Sequence, residues 1–150
     1  MADVHDTATR SRNMAAIRGK DTKPELHIRR ALHSLGFRYR LHAKDLPGKP
    51  DLVFPRYGAV VFINGCFWHR HDCHLFRWPG TRVDFWQEKI GKNVASDARN
   101  INALDALGWR IATVWECALK GRTRLPDNQP VQLLAEWLRS EEKRLTIRGN

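Results

Sequence analysis

At 150 residues, the chain has the length of one domain and is large enough to bury a hydrophobic core. Its apolar fraction of 42% and charged fraction of 28% exclude a disordered chain, and no stretch approaches the roughly 20 apolar residues of a membrane span. A net charge of +10 indicates a polyanionic partner, most simply nucleic acid, with a merely basic soluble protein as the alternative. The N-terminus has no apolar segment typical of a secretory signal, so we expect a cytoplasmic protein.

Two parts are predicted along the chain: a basic N-terminal arm over residues 1–20 and a single domain over residues 21–150. After Val4, the only large apolar residues of the arm are Met14 and Ile17. We expect this arm to become ordered on a partner, and a frayed terminus is the alternative.

The first predicted element is a helix that begins near Thr22. Thr22 and Glu25 have the spacing of a capping box, and Pro24 suits a first helical turn. Gly36 suits the position just after a helix end. The apolar residues predicted on one face of this helix are Ile28, Leu32 and Leu35.

Three strands are predicted next. The segment "FRYRLH" alternates apolar and polar residues, with Phe37, Tyr39 and Leu41 on one side. The runs "DLVF" and "AVVFIN" are joined at "PRYG" and are typical of a β-hairpin of two buried strands.

The second half of the chain alternates helix and strand. After an irregular segment over residues 65–83, a helix is predicted over residues 84–107 and ends at Gly108, with Ile90, Val94, Ile101, Leu104 and Leu107 directed inward. "WRIATVWE" predicts a strand, and "VQLLAEWLRSEEK" predicts an amphipathic helix. This order predicts an α/β core with a mixed central sheet flanked by helices.

Scarce metal-binding residue types cluster in "GCFWHRHDC" at residues 65–73. The three cysteines of the chain and one histidine form the predicted zinc set: Cys66, His71, Cys73 and Cys117. Three thiolates and one imidazole are a closed tetrahedral set, typical of structural zinc. His69 and His74 compete for the imidazole position, and buried free thiols with surface histidines are the alternative. The H-x-E and P-C-x-x-C motifs of zinc deaminases are absent.

Aromatic residues are concentrated around the predicted zinc loop, where they alternate with arginines: Phe67, Trp68, Phe76, Trp78, Phe85 and Trp86. Apolar wedges that enter between base steps, with arginines on the phosphates, are one way in which proteins deform duplex DNA. The alternative is a small apolar core around the zinc ion.

An acidic candidate stands at the start of a predicted strand. Asp51 in "PGKPD" matches the first half of a P-D…(D/E)-x-K nuclease motif, in which carboxylates hold Mg²⁺. Ile63 and Asn64 stand where the second acid is expected, although the backbone carbonyl of Ile63 is itself a suitable oxygen ligand. An ordinary turn aspartate is the alternative.

Two further groups could complete such a site. Glu25 is an oxygen donor, and closure of the capping box is its alternative role. His69, where it does not bind zinc, could act as a general acid or base near neutral pH.

With these residues in hand, the chain resembles the very short patch repair endonucleases. The resemblance covers nearly the whole chain and includes "MADVHD", "TRSRNM", "LPGKPD", "GCFWH", "FWQEKIGKNV", "LGWR" and "VWECAL". It implies a restriction-endonuclease-like α/β core with a structural zinc loop. It also implies a bacterial, nucleoid-associated, monomeric enzyme that uses Mg²⁺ to nick one DNA strand 5′ of the thymine in T·G mismatches left by deamination of 5-methylcytosine.

The resemblance also implies roles for single residues. Asp51 matches a direct Mg²⁺ ligand, position 63 matches a carbonyl ligand, Glu25 matches an acid that works through metal-bound water, and His69 matches a catalytic histidine. Residues that match DNA-contacting positions are Phe67, Trp68 and Trp86 as intercalating aromatics, with Met14 and Ile17 on the arm. The zinc ligands match the set given above, and mismatch-repair proteins are implied partners.

Two positions depart from the family pattern. A well-known member of the family carries Thr and His at these positions, where this chain has Ile63 and Asn64. The first change leaves a carbonyl ligand intact, whereas the second removes an imidazole near the metal and the DNA phosphate. Two rival functions follow: a zinc-stabilised DNA-binding module without catalysis, and an enzyme of the same fold that cuts a different mismatch or a structured substrate.

Overall fold

The computed structural model describes residues 22–150. The predicted arm, with Met14 and Ile17, lies outside the described residues, so the division into arm and domain stays a prediction. The helices are α1 (Lys23–Ser34), α2 (Val83–Ala106) and α3 (Gln129–Arg139), and the strands are β1 (Arg40–Leu41), β2 (Leu52–Phe54), β3 (Ala59–Asn64), β4 (Arg110–Trp115) and β5 (Arg144–Ile147). Short 3₁₀ turns occupy Pro55–Tyr57 and Glu116–Ala118.

The five strands form one mixed sheet in the order β1-β2-β3-β4-β5. β1, β2 and β3 are antiparallel neighbours, whereas β3, β4 and β5 run parallel to one another. The long helix α2 connects β3 to β4, as a parallel crossover requires. The mixed α/β fold and the hairpin of β2 and β3 predicted from sequence are therefore confirmed.

The sheet carries apolar residues on both faces, in the two-residue period of a strand. Ala59 and Val61 of β3 pack in a cluster with α1 and α3, whereas Val60 packs in a second cluster with Leu104 of α2. The three layers therefore place α1 and α3 on one face of the sheet and α2 on the other.

Two helices end where glycine allows a left-handed backbone. Gly36 follows α1 with φ of 98°, and Gly108 follows α2 with φ of 89°. At the other end of α1, the Thr22 hydroxyl accepts a hydrogen bond from the Glu25 amide at 3.4 Å. The predicted boundaries of α1 and α2 are confirmed at these positions.

Two expectations about the elements are wrong, and one strand was not predicted. The first strand covers only Arg40–Leu41 at the edge of the sheet, and Leu41 is 42% exposed. Val94 and Leu107 of the α2 region are exposed rather than inward, because Val94 lines an open cleft and Leu107 lies just after the last helical turn. The sequence reasoning missed β5, a four-residue strand beside β4. Within residues 22–150, no helix is long and apolar enough to cross a membrane.

Candidate active site and metal cluster

The predicted site residues converge at one edge of the sheet. β3 and β4 are parallel, so both end at this edge, and the antiparallel β2 begins there. An open cleft of about 1510 Å³ lies beside it, between this edge and α2. The predicted residues that line the cleft are Glu25, Asp51, Ile63, Asn64, Phe67, Trp68 and His69.

Asp51 immediately precedes β2 and faces the end of β3. Its Oδ2 accepts a hydrogen bond from the Ile63 amide at 2.7 Å. Because the N–H and C=O of a strand residue point to the same side, the Ile63 carbonyl faces the Asp51 side of β3. Burial raises the pKa of Asp51 to about 7, and the nearby Glu25 carboxylate also raises it, whereas the Ile63 hydrogen bond opposes the rise. A cation at this position would stabilise the carboxylate that burial disfavours.

Glu25 reaches the same place from the first turn of α1 and is only 2% exposed. Its Oε2 contacts the Arg29 guanidinium at 2.7 Å and His42 Nε2 at 2.8 Å. The Glu25 amide donates to the Thr22 hydroxyl, while the Glu25 carboxylate forms a group with His42 and Asp51, the acidic cluster. The Thr22 half of the predicted capping box is therefore formed, whereas closure of the box by the Glu25 carboxylate stays a prediction.

His42 was not predicted as a site residue. Leu41 of β1 pairs with Leu52 of β2, so the next position along the pairing places His42 opposite Asp51, and the His42 amide donates to the Asp51 carbonyl at 3.0 Å. One ligand atom from each of Glu25, His42 and Asp51 lies within 4.8 Å of the others. These three side chains could therefore hold a metal ion.

His69 lies on the loop after β3 and faces α2. Its Nδ1 contacts Asp97 Oδ2 at 2.5 Å. A carboxylate on Nδ1 fixes the ring orientation and keeps the proton on that nitrogen, so Nε2 is the nitrogen that can exchange a proton. Asp97 was missed by the sequence reasoning. The signal in the sequence was its position four residues after Asn93 on α2, which places both side chains on one face of the helix. The Asn93 side-chain amide contacts the same loop and donates to the Trp68 carbonyl at 3.0 Å.

The second cluster contains Cys66, His71, Cys73 and Cys117, with one ligand atom from each within 4.8 Å of the others. Cys66 and Cys117 each follow the end of a strand, two residues beyond the paired Asn64 and Trp115, so the parallel register brings them together. His69 and His74 contact Asp97 and Thr123 instead. This Cys/His cluster could hold a metal ion.

The distances within this second cluster fit a tetrahedral ion. His71 Nδ1 lies 3.5 Å from the sulfurs of both Cys66 and Cys117. A tetrahedral zinc ion with Zn–S of about 2.3 Å and Zn–N of about 2.0 Å separates sulfur from nitrogen by about 3.5 Å. Burial raises the pKa of the Cys66 thiol, so thiolates in this place require a compensating cation.

The surroundings of the cluster fix its ligands. The His71 ring stacks on Trp115 with ring centroids 4.0 Å apart, and the Gly149 amide donates to Cys117 Sγ at 3.3 Å. The Arg148 guanidinium contacts Asp72 at 2.7 Å, beside His71 in the chain. The segment after β5 therefore ties down the loop that carries the cluster.

The predicted intercalating aromatics contact one another next to the cleft. Phe67 lies 5.2 Å from Trp68 and 5.4 Å from Trp86 between ring centroids, and Trp68 lies 5.9 Å from Trp86. All three side chains are partly exposed. Arg82 lies over the neighbouring ring of Phe85, which is 43% exposed. The group has the mutual packing of a small core and also presents aromatic surface beside basic residues.

Comparisons with known proteins identify the family of the chain. The sequence model of the family described as DNA mismatch endonuclease Vsr matches residues 2–75. DNA mismatch endonuclease Vsr of Escherichia coli (strain K12) is 51% identical over 141 residues, which cover 94% of this chain and 90% of that protein. The type II nicking enzyme V.XorIIP of Xanthomonas oryzae pv. oryzae is 52% identical over 106 residues, with 71% and 78% covered. V.NmeAIP of Neisseria meningitidis, also a type II nicking enzyme, is 45% identical over 122 residues, with 81% and 87% covered. The chain, as its motifs predicted, belongs to the Vsr family of DNA mismatch endonucleases.

Proposed function

We propose that this protein is a Mg²⁺-dependent nicking endonuclease of DNA repair, with a restriction-endonuclease-like core, that cuts one strand 5′ of the thymine in T·G mismatches left by deamination of 5-methylcytosine. Family membership supports DNA nicking in repair. The observation that carries the proposal is the convergence of Asp51, Glu25 and His69 on one open cleft next to partly exposed aromatic side chains.

The residues that would hold Mg²⁺ are Asp51 and the Ile63 carbonyl, with Glu25 nearby. When bound, Mg²⁺ neutralises phosphate charge and lowers the pKa of water. The carboxylate pair supplies the hard oxygen ligands that this ion prefers.

His69 is the group proposed to transfer a proton at the scissile phosphate. The Asp97 carboxylate on Nδ1 directs the exchangeable proton to Nε2 and stabilises the charged imidazolium once it forms. Asp97 is a positioning residue in this scheme, because it acts through His69.

The Cys/His cluster is proposed to hold a structural zinc ion. All four of its positions would be occupied by protein ligands, so no position is open for substrate. Phe67 and Trp68 lie between Cys66 and His71 in the chain, and an ion at the cluster would stiffen the segment that presents them.

Recognition of the mismatch is proposed to depend on Phe67, Trp68 and Trp86, which would enter the base stack. A wobble pair unstacks more easily than a Watson–Crick pair, and unstacking costs a few kcal/mol per step. The net charge of +10 supplies the attraction to the DNA backbone.

The test is nicking of an end-labelled duplex with one T·G mismatch against its T·A control, using zinc-loaded protein with and without Mg²⁺. Asp51→Asn and His69→Ala are compared with the wild type, and His33→Gln, an exposed histidine on the far end of α1, is the matched control. We expect a Mg²⁺-dependent cut 5′ of the thymine in the wild type and in His33→Gln, and none in the two site variants.

The rival function is a zinc-stabilised DNA-binding module. Tight binding to the mismatch without a cut by the wild type in any flanking sequence would favour that rival and overturn the proposal. A cut of equal rate at T·A pairs would retain the nuclease and refute the mismatch specificity.

A further inference from the structure

His42 is the one member of the acidic cluster whose side chain offers nitrogen. Its Nε2 lies 2.8 Å from Glu25 Oε2, and its backbone is tied to Asp51 by the amide-to-carbonyl hydrogen bond of 3.0 Å. His42 is the first residue after β1, and this hydrogen bond continues the β1–β2 pairing by one position. The imidazole is thus held beside both carboxylates.

The side chains of the acidic cluster and of Arg29 are largely buried. The Glu25 side chain is 3% exposed, and the side chains of His42 and Arg29 are each 17% exposed. Two carboxylates, Glu25 and Asp51, share this place, and removing their charges from water is costly. A divalent cation among these groups would stabilise both ionised carboxylates.

Ligand chemistry decides which cation suits the group. Carboxylate and carbonyl oxygens suit Mg²⁺, whereas an imidazole nitrogen favours first-row transition ions. The separation of at most 4.8 Å between ligand atoms requires only small side-chain movements for three ligands to reach one ion.

We infer that His42 is a third protein ligand of the catalytic metal site, so that this site takes Mn²⁺ or Co²⁺ in preference to Mg²⁺. The inference rests on the metal site of the proposed function and adds a ligand and a metal preference to it. Loss of the imidazole should weaken Mn²⁺ binding by about tenfold or more, which is the scale for a perturbed metal shell. Mg²⁺ binding, which gains little from nitrogen, should change much less.

The alternative is that His42 only hydrogen-bonds to Glu25 and orients its carboxylate. In that case no nitrogen is bound to the metal, although activity would still fall on substitution. A spectroscopic readout separates the two roles, since activity alone does not.

The experiment uses the full chain with one equivalent of zinc already bound and Mn²⁺ as the probe. Electron spin-echo spectroscopy of the bound Mn²⁺ detects a coordinated imidazole by its ¹⁴N modulation. Labelling the histidines of the wild type with ¹⁵N removes the ¹⁴N modulation and so assigns it to histidine. Mn²⁺ and Mg²⁺ affinities are measured by titration for the wild type, His42→Gln and the control His33→Gln. His69→Ala tests whether the proposed catalytic histidine, which lines the cleft, supplies the nitrogen instead.

We expect a histidine nitrogen signal in the wild type, in His33→Gln and in His69→Ala, and its loss in His42→Gln together with the tenfold loss of Mn²⁺ affinity. Mn²⁺ bound without nitrogen modulation in the wild type, modulation that persists in His42→Gln, or no Mn²⁺ binding at all would each overturn the inference. The first of these outcomes is measured on the wild type alone, so it stays decisive even where His42→Gln fails to fold.

Failure of the inference and failure of the proposed function are distinguishable. Mg²⁺-dependent nicking that Asp51→Asn abolishes, without nitrogen modulation on Mn²⁺, would retain the function and overturn the ligand. Nitrogen modulation in a protein that cuts no mismatched duplex would retain the ligand and overturn the function.

Discussion

Asn in place of Asp51 should stabilise the fold at alkaline pH in the absence of divalent ions other than zinc, although it should abolish nicking. Burial raises the pKa of Asp51 from an ordinary value of 3.8 to about 7. Between these two values the folded protein binds a proton that the unfolded chain has lost. The free energy of unfolding therefore falls as pH rises from about 4 to about 7, because the unfolded state is favoured by deprotonation.

The size of the effect follows from the pKa difference. Each pKa unit corresponds to about 1.4 kcal/mol, so the full shift corresponds to a loss on the order of 4 kcal/mol above pH 7. An Asn side chain has no charge to bury, and its carbonyl oxygen can still accept the Ile63 amide that Asp51 accepts at 2.7 Å. Asp51→Asn should therefore keep most of the free energy of unfolding that the wild type loses above pH 7, and at pH 4 the two proteins should differ little in stability.

The measurement is urea unfolding of the wild type and Asp51→Asn at several pH values between 4 and 8. Buffers are freed of divalent ions by a resin before the zinc-loaded protein is added, because a soluble chelator would also strip the cluster. Addition of Mg²⁺ at pH 8 should stabilise only the wild type, by about 2.7 kcal/mol at a hundredfold excess over Kd.

Asp51→Asn with the same pH dependence as the wild type would refute the reasoning, since another group would then account for the slope. A variant that is less stable than the wild type at pH 8 would show that the buried carboxylate stabilises the metal-free fold, contrary to the expected cost of its desolvation.

Three further predictions concern the residues around the site. Asp97→Asn should lower the nicking rate by about a hundredfold, the scale of general acid–base catalysis, with mismatch affinity unchanged in a binding titration; an unaltered rate would remove Asp97 from the His69 scheme. Trp68→Ala should weaken binding to a T·G duplex by about 1–3 kcal/mol, the value for one stacked base, and equal loss on T·A DNA would contradict a role in mismatch recognition. In Gly149→Ala, the added Cβ would lie 2.5 Å from the Cys117 carbonyl oxygen and against Thr123, so zinc loss to a coloured chelator should accelerate, whereas unchanged release would show that the segment after β5 does not hold the cluster.

The fold was predictable where the sequence pattern is strong over several residues. The apolar runs of β2 and β3, and the glycines at positions 36 and 108, specify their elements locally. β5 was missed because its four residues have only a weak alternation, and its strand conformation depends on pairing with β4.

The site was predictable where rare residue types cluster along the chain. Two cysteines beside histidines at residues 66–74, with the third cysteine directly after a predicted strand, are unusual enough to predict a metal set, and Asp51 matches half of a recognisable motif. His42 and Asp97 are single residues on separate elements, and their relevance depends on tertiary contacts: the register of β1 on β2 for His42, and the packing of α2 on the loop for Asp97.

The parallel pairing of β3 and β4 couples the two clusters. Asn64 pairs with Trp115 at the strand ends, so the loop after β3 must begin beside the segment after β4, and Cys66 meets Cys117 there. Phe67, Trp68 and His69 follow Cys66 directly, whereas Glu25, His42 and Asp51 are held by α1 and by the other side of the sheet. Loss of the Cys/His cluster should therefore displace the aromatic side chains and His69 together, while the carboxylates keep their positions. In the proposed function, this arrangement separates the carboxylates that would bind the catalytic ion from the aromatic side chains that would recognise the mismatch, and it places His69 with the aromatic side chains.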